Sequence, residues 1–226
     1  DHWNPDGDPA SLPPAPAGHD DPAADPVRWI FYTSGTTADP NGARHTDRSV
    51  LAGAIGYAKK THVVADDIAL VAFPFTHIGG IIIGVFTPLL TGSAAVLMEA
   101  WTPQASTELI GRHRITLGNG APAIHTALLA EARAHPEAYA TIRAFPSGGS
   151  TKPPQLHDDL MAAVPGSVGI TSGYGMTEAP IVSQTDVGAP DASKRDGEGT
   201  PTRGVTMKIA ESGEIVVQGP QIMRGY

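Results

Sequence analysis

The sequence predicts an α/β fold: a largely parallel sheet with helices on both faces, followed by the start of a small β-barrel subdomain. Three observations carry this. From residue 27 to residue 171, short runs of β-branched and aromatic residues alternate with longer amphipathic segments, the pattern of a parallel sheet whose crossovers are helices. Glycine-rich stretches directly follow several of those runs. After residue 204 the pattern changes to period-two alternation broken by Glu211-Ser212-Gly213-Glu214, the pattern of a β-hairpin.

Taken in order, residues 1–26 carry seven prolines and six aspartates. Such a composition buries too little apolar surface to offset the entropy of ordering, so an acidic Pro-rich linker is expected. Arg28-Trp29-Ile30-Phe31-Tyr32 predicts a buried strand. A helix over 46–61 follows, N-capped by Thr46 or Asp47, then a strand from Ile68 to Phe73. Ile78 to Leu90 predicts a buried helix and Ala94 to Met98 a strand, while Thr102-Pro103 supplies a cap and a first-turn proline. Strands at Ile115–Leu117, Ile142–Pro146 and Val168–Thr171 then alternate with helices at Pro122–Ala134 and Pro153–Val164. In the last segment Val205, Met207 and Ile209 alternate, as do Ile215 and Val217. The domain division expected is 1–26 linker, 27–203 α/β core and 204–226 a β-hairpin belonging to a truncated β subdomain.

Composition excludes several functions. With no cysteine there is no disulfide framework, thiolate metal site or cysteine nucleophile. Fifteen Lys+Arg against 23 Asp+Glu leave a net charge of −8, and no basic cluster is present to hold a phosphate backbone, so no nucleic-acid partner is expected. The uncharged stretch Ile78–Met98 approaches the length of a membrane span, but Gly79, Gly80, Gly84, Pro88 and Thr91-Gly92-Ser93 divide it into a buried helix and a strand. No span and no targeting segment are expected, and a cytoplasmic location follows by default.

Three stretches carry candidate chemistry. Thr33-Ser34-Gly35-Thr36-Thr37 places four hydroxyls and a glycine after a strand, a donor set suited to a triphosphate. It has no Lys-Ser/Thr pair and is not a Walker A loop, and a plain Ser/Thr/Gly connector is the competing reading. Ser147-Gly148-Gly149-Ser150 lets backbone approach a flat ligand, or is simply a tight turn. Ser172-Gly173-Tyr174-Gly175-Met176-Thr177-Glu178 offers a ring for stacking, a hydroxyl for a phosphate and a carboxylate for Mg²⁺, against a loop whose tyrosine packs and whose glutamate is solvated. His113, His125 and His135 lie on predicted helices without metal-ligand spacing and are expected to be solvated.

Together these stretches resemble the adenylate-forming superfamily of acyl-CoA synthetases, luciferases and peptide-synthetase adenylation domains, in its fatty-acyl-CoA synthetase-like branch. The Y-T-S-G-T-T-x-x-P-K-G signature is matched at Tyr32–Gly42 and F-P-x-x-H-x-x-G at Phe73–Gly80. The adenine loop is matched at Gly148–Ser150, Y-G-x-T-E at Tyr174–Glu178 and G-E-I-x-V-x-G-P at Gly213–Pro220. The resemblance implies attack of a carboxylate on the α-phosphate of MgATP to give an acyl-adenylate, then transfer to coenzyme A. It assigns the nucleotide to Thr33, Ser34, Gly35, Thr36, Thr37, Gly148, Gly149, Ser150, Gly173, Tyr174 and Gly175. It assigns Mg²⁺ to Glu178, catalysis to Thr177, Glu178 and His77, and the carboxylic or fatty acid to His77, Gly80, Gly120 and Met176, with Gly118-Asn119-Gly120-Ala121-Pro122 as a pocket-lining turn.

Two departures from the family pattern stand out. The signature's usual Gly and Lys are Ala38 and Asn41, so a cation expected near the pyrophosphate is missing. The ribose-binding aspartate, hinge and C-terminal lysine of the family, and most of its N-terminal region, have no counterpart here. The sequence therefore reads as the central fragment of a longer ligase, inactive alone, with a non-catalytic nucleotide- or acyl-binding remnant as the alternative.

Overall fold

A computed structural model describes residues 25–33 and 40–226. Its centre is a parallel sheet. Strand β3 (Ile68–Val71) lies between β4 (Ala94–Leu97) and β5 (Leu117–Asn119), parallel to both. Strands β6 (Phe145–Gly148) and β7 (Ile170–Met176) are also parallel, and β8 (Ala179–Gln184) and the short β9 (Thr200–Pro201) add antiparallel to that edge. Parallel bridges Leu117↔Ala144 and Gly120↔Ser147 join the two groups, with the Gly118 N–H donating to the Ala144 carbonyl at 3.1 Å. The strand order across the molecule is thus β4-β3-β5-β6-β7-β8-β9.

Parallel neighbours need crossovers, and each one here carries a helix. These are the segment Ile78–Thr91, α4 (Pro103–His113), α5 (Pro122–Ala134) and α6 (Pro154–Ala163). On one face Leu70, Phe145 and Ile170 pack against Ile110, Leu128 and Leu160 from the last three helices. On the other, Ala69, Val71, Leu117 and Ala144 face Val50, Ala54 and Tyr57 of α1 (Asp47–Thr61), together with Ile78 and Ile82. The alternation Ala69/Leu70/Val71 is the pleat at work: successive side chains leave on opposite faces, and both faces are covered.

Local chemistry sets the helix ends. The Thr46 hydroxyl accepts from the Ser49 N–H and the Ser49 side chain returns to the Thr46 N–H, a capping box that starts α1. Thr102 caps α4 with Pro103 at its first position, as expected. The expected buried helix is α2 (Ile78–Ile81), a π-helical turn (Ile82–Phe86) and α3 (Thr87–Thr91) in sequence. The widened turn precedes Pro88, whose ring and missing N–H do not fit a regular α-helical turn. Among the described residues no helix is long and apolar enough to cross a membrane.

Three features correct the sequence expectations. Strand β1 (Val27–Thr33) is not a buried member of the parallel sheet. It pairs antiparallel with β2 (Asn41–Thr46), a strand the sequence did not predict. Second, β7 runs on through Met176, so Gly173, Tyr174 and Gly175 lie on a strand and only Thr177-Glu178 turn into β8. Third, His125 is fully buried, its Nε2 3.0 Å from the Gly118 carbonyl oxygen, whereas His113 and His135 are exposed as expected. The expected C-terminal hairpin is present as β10 (Thr206–Ile209) with β11 (Ile215–Gln218), a two-stranded sheet of its own, and no barrel closes among the described residues. Residues 1–24 of the expected linker lie outside the described residues.

Candidate active site

The carboxyl ends of β5, β6 and β7 open into a cavity of about 180 Å³, far more than a water molecule needs. Open α/β sheets bind ligands at this end, because their strand-to-helix loops gather there. The cavity is lined by Asn119, Ser147 and Gly148 at the strand ends, by Gly173–Met176 of β7, and by Phe73, His77 and Ile83. The strands that end here change character over a few residues. Phe145 and Ile170 are fully buried, whereas three residues later in each strand Gly148 and Gly173 pair with each other and present no side chain. Gly149 has φ +88°, a left-handed conformation that glycine adopts without strain, and nothing lies within 4 Å of where a Cβ would stand. Gly175 is needed for a different reason, since a Cβ there would lie 2.5 Å from the Ile181 amide nitrogen across the tight β7–β8 turn.

His77 sits at the rim as the N-cap of α2. Its Nδ1 accepts from the Gly79 N–H at 3.0 Å and its ring stacks on Phe73 with centroids 5.8 Å apart. An Nδ1 that accepts leaves the proton on Nε2, making the neutral ring a donor. Although the residue as a whole is exposed, packing of the ring's inner side disfavours the charged form and lowers its pKa.

Thr177 and Glu178 form the turn beyond β7. The Thr177 carbonyl oxygen lies 2.8 Å from Nε2 of His45, a fully buried residue of β2, which ties this turn to the β1–β2 hairpin. Burial holds the His45 pKa down against the opposing effect of that carbonyl. The Glu178 carboxylate accepts from the Tyr226 hydroxyl at 2.7 Å, and its backbone carbonyl accepts from the Met223 N–H at 2.8 Å. The C-terminal segment also pairs with β2, Arg224 N–H donating to the Arg44 carbonyl at 2.8 Å.

Of the residues expected at a site, His77, Gly148, Gly149, Gly173, Tyr174, Gly175 and Met176 line this one cavity. Ser150 and Thr177 stand next to lining residues in the chain and Glu178 stands two residues from Met176 and Pro180, but none of the three lines the cavity. Gly80 does not line it. A Cβ there would lie 2.3 Å from the Pro74 carbonyl oxygen, so the glycine permits the turn that presents His77. Gly120 is likewise outside the lining, packed on Ile124, while its neighbours Asn119 and Ala121 do line the cavity. Thr33 closes β1 opposite Asn41, and Ser34, Gly35, Thr36 and Thr37 lie outside the described residues.

The sequence reading missed Tyr57 and Gln184, whereas Asn119 lines the cavity as part of the turn Gly118–Pro122 that the resemblance pointed to. The Tyr57 hydroxyl donates to Asn119 Oδ1 at 2.5 Å, and burial pushes its pKa up. The Gln184 amide nitrogen donates to Thr61 Oγ1 at 3.0 Å. Two buried polar atoms on lining residues have no hydrogen-bond partner, Ser147 Oγ and Gln184 Oε1. The signal that was available is polarity inside buried elements, a costly feature unless partnered.

Both the sequence and the fold have known relatives. The family model described as "AMP-binding enzyme" matches residues 2–226. A feruloyl-CoA synthase of Amycolatopsis sp is 31% identical over 225 residues, covering 95% of this chain and 44% of its own length. The 4-coumarate–CoA ligase 2 of Oryza sativa subsp. japonica is 32% identical over 239 residues, covering 98% of this chain and 41% of its own. Among solved structures, O-succinylbenzoate coenzyme A synthetase (MenE) from Bacillus subtilis, in complex with ATP and magnesium ion, superposes with a TM-score of 0.77 at 27% identity, covering 89% of this chain and 43% of that one. The chain thus spans less than half the length of these relatives.

Proposed function

Because this chain belongs to the AMP-binding enzyme family, we propose that it carries the nucleotide and acyl site of an AMP-forming acid–thiol ligase. In the proposed reaction a carboxylate oxygen attacks the α-phosphorus of ATP, pyrophosphate leaves, and the acyl-adenylate passes its acyl group to the thiol of coenzyme A with release of AMP. The observation that carries this reading is the single cavity lined by Gly148-Gly149, by Gly173–Met176 and by His77. Gly148 and Gly149 leave room for the flat base, with the Tyr174 ring available to cover it. Neutral His77, with its donor Nε2, orients the substrate carboxylate without supplying charge. Thr177, held in place by His45, serves the α-phosphate, and Thr33 with residues 34–37 serves the β- and γ-phosphates.

Glu178 fits Mg²⁺ as far as one carboxylate can. It is a hard oxygen ligand of which the Tyr226 hydroxyl occupies one acceptor site, and a carboxylate has about four. No group of three or more metal-ligating side chains exists among the described residues, so the remaining ligands of a bound ion would be phosphate oxygens and water, as is usual for this ion. When bound, it would neutralise charge that builds on the departing phosphates. The named acyl groups of the two relatives, feruloyl and 4-coumaroyl, are aromatic, and they support an aromatic acid more than the fatty acid suggested by the sequence resemblance.

Pyrophosphate release from MgATP with ferulate, 4-coumarate and hexanoate tests the reading. The full-length protein should turn over at least one aromatic acid at about 1 per second or faster, and the 226-residue chain alone far more slowly. His77→Ala should lower kcat more than it raises KM for ATP. Asn41, standing where the family has lysine, is the observation that favours a non-catalytic binding module. Tight MgATP binding with no pyrophosphate release from any acid would select that alternative.

A further inference from the structure

Between β6 and α6 the chain runs exposed through Gly149, Ser150 and Thr151, turns Lys152 inward, and is exposed again at Pro153 and Pro154. The buried member of this surface loop is thus its lysine, whose side chain is 3% exposed. Lysine is almost never buried without a partner. Here its Nζ donates to the Gly197 carbonyl at 2.9 Å and stands 3.8 Å from Glu198 Oε1. Both acceptors follow a short helix, α7 (Asp191–Asp196). That segment is itself fastened. The Ser183 hydroxyl of β8 donates to the Glu198 carbonyl at 2.9 Å, and Arg195 grips Asp158 of α6 through Nη2 at 2.8 Å and Nε at 3.0 Å. Loop, α6, α7 and Lys152 therefore close a ring. Gly148 is held by its pairing with Gly173, but among the described residues no hydrogen bond reaches Gly149, Ser150 or Thr151. Pro153 and Pro154 have no N–H to give, so Lys152 is the loop's second anchor.

We propose that Lys152 is a positioning residue: through the Gly197 carbonyl, its ammonium holds the Gly149–Thr151 loop in the shape that receives the base of the nucleotide. This rests on the reading of Gly148 and Gly149 as the place of the flat base. Lys152, Gly197 and Glu198 do not line the cavity, so their influence passes through the loop. A loop fixed before binding spares the nucleotide the cost of ordering it, and each backbone residue so fixed is worth about tenfold in affinity. Fold stability has no comparable need of the charge. A buried ammonium gains little over an apolar side chain of like volume, because desolvation offsets its attractions. Glu198, 44% exposed, stays solvated when its partner is removed. Loss of the ammonium should thus leave the fold intact and weaken the nucleotide, a pair of outcomes that a purely structural lysine would not produce.

Lys152→Met, unbranched and without the donor, provides the test in the full-length protein. Dissociation constants of AMP and MgATP by calorimetry, kcat and KM in pyrophosphate release, and the urea midpoint are measured beside the wild type. AMP and MgATP should both bind about tenfold more weakly, since both carry the base. At saturating ATP, kcat and the KM for the acid should change by less than about twofold, as when binding shared by ground and transition states is removed. Lys152→Arg keeps a charged donor and should recover most of the lost affinity. Wild-type AMP affinity in Lys152→Met, a loss confined to MgATP, a fall in kcat with nucleotide affinity unchanged, or Lys152→Arg as weak as Lys152→Met would overturn the proposal. Should Lys152→Met fold poorly, Arg195→Met opens the ring at a half-exposed pair and should weaken AMP by about two- to threefold. Unchanged AMP affinity in that variant would equally refute it. If AMP binding weakens as expected but no acid is turned over, the ligase reading fails and this one stands; if the wild type binds no nucleotide, both fail.

Discussion

The two faces of the central sheet are built from the same strands and are packed differently. On one face Phe145, Ile170 and Leu70 meet Ile110, Leu128 and Leu160, all fully buried and all apolar. On the other, α1 and the Ile78–Thr91 segment stand off far enough from the carboxyl ends of β5, β6 and β7 to leave a cavity, and polar residues such as Tyr57, Asn119 and Gln184 reach into its wall. The filled face holds the strands in register, and the hollow face uses that rigidity to present glycine backbone and a few side chains at fixed positions. Close packing and open space are thus separated across a single sheet.

Large-to-small substitution on each face gives the widest contrast. Phe145→Ala removes a fully buried ring from a dry, close-packed cluster and should cost about 3–5 kcal/mol. Ile83→Ala only enlarges a cavity that already exists, and should cost about 1 kcal/mol, below the usual range for this change, because little new surface loses its packing partners. Urea denaturation of the two variants measures the difference, and equal losses would mean the hollow face is as tightly packed as the filled one.

Acid should also act on the sheet through its buried histidines. Burial lowers the pKa of His125 from 6.5 to about 4, and it lowers those of His45 and His157 in the same direction. A base whose folded pKa lies below its unfolded value takes up protons preferentially when unfolded. The stabilising effect of keeping His125 neutral is therefore complete above about pH 6.5, declines as pH falls toward 4 and is fully lost below that. The shift corresponds to on the order of 3 kcal/mol for His125. Denaturation midpoints measured between pH 7.5 and 4 should fall steadily in the wild type and less steeply in His125→Gln. Parallel curves would show that this ring is not the titrating group.

Gly80→Ala probes the rim. In an ordinary helix interior this change stabilises by about 1 kcal/mol. Here the added methyl would meet the Pro74 carbonyl oxygen at 2.3 Å, so the sign should reverse, to a loss of about 1–2 kcal/mol as the Phe73–His77 turn shifts. Impaired orientation of His77 should accompany it, seen as a lower kcat with KM for ATP little changed. A variant more stable than wild type would show that the turn relaxes freely.

These contrasts also explain what the sequence could and could not reveal. The filled face is written in periodicity: Leu128 and Leu129 of α5, Leu156 and Leu160 of α6 and the apolar start of each strand made the crossovers readable. Strand ends were not, because β6 and β7 extend into Ser147-Gly148 and Gly173–Met176, where parallel pairing of β6 with β7 and antiparallel pairing of β7 with β8 override glycine's poor strand propensity. Strand β2 (Asn-Gly-Ala-Arg-His-Thr) has no apolar alternation, and β8 contains Pro180, a residue that argues against a strand in any sequence reading. In the cavity, motif residues such as Gly148 and Tyr174 were legible because they are contiguous. The Tyr57–Asn119 and Gln184–Thr61 contacts were not, since they join residues 62 and 123 positions apart.

The smallest expected change in stability separates the β1–β2 hairpin from both faces of the sheet. Asn41 is exposed, pairs with Thr33 through backbone, and its carbonyl oxygen lies 3.4 Å from the Thr33 hydroxyl, so Asn41→Lys leaves the pairing intact and should alter stability by no more than about 0.5 kcal/mol. Its effect belongs to binding. If the neighbouring loop serves the β- and γ-phosphates as proposed, a lysine here adds one charge-assisted contact, which at a solvent-exposed position should tighten MgATP by about three- to tenfold. Because the gain is that of an exposed charge, it should shrink as salt is raised from 0.05 to about 0.5 M, over which the screening length falls well below 10 Å. Calorimetric titration of MgATP into the wild type and Asn41→Lys at both salt concentrations measures it. An affinity unchanged at low salt would place the triphosphate away from this hairpin, and with it the role proposed for Thr33 and residues 34–37 would fail, while the acyl and adenine roles proposed for the cavity would be untouched.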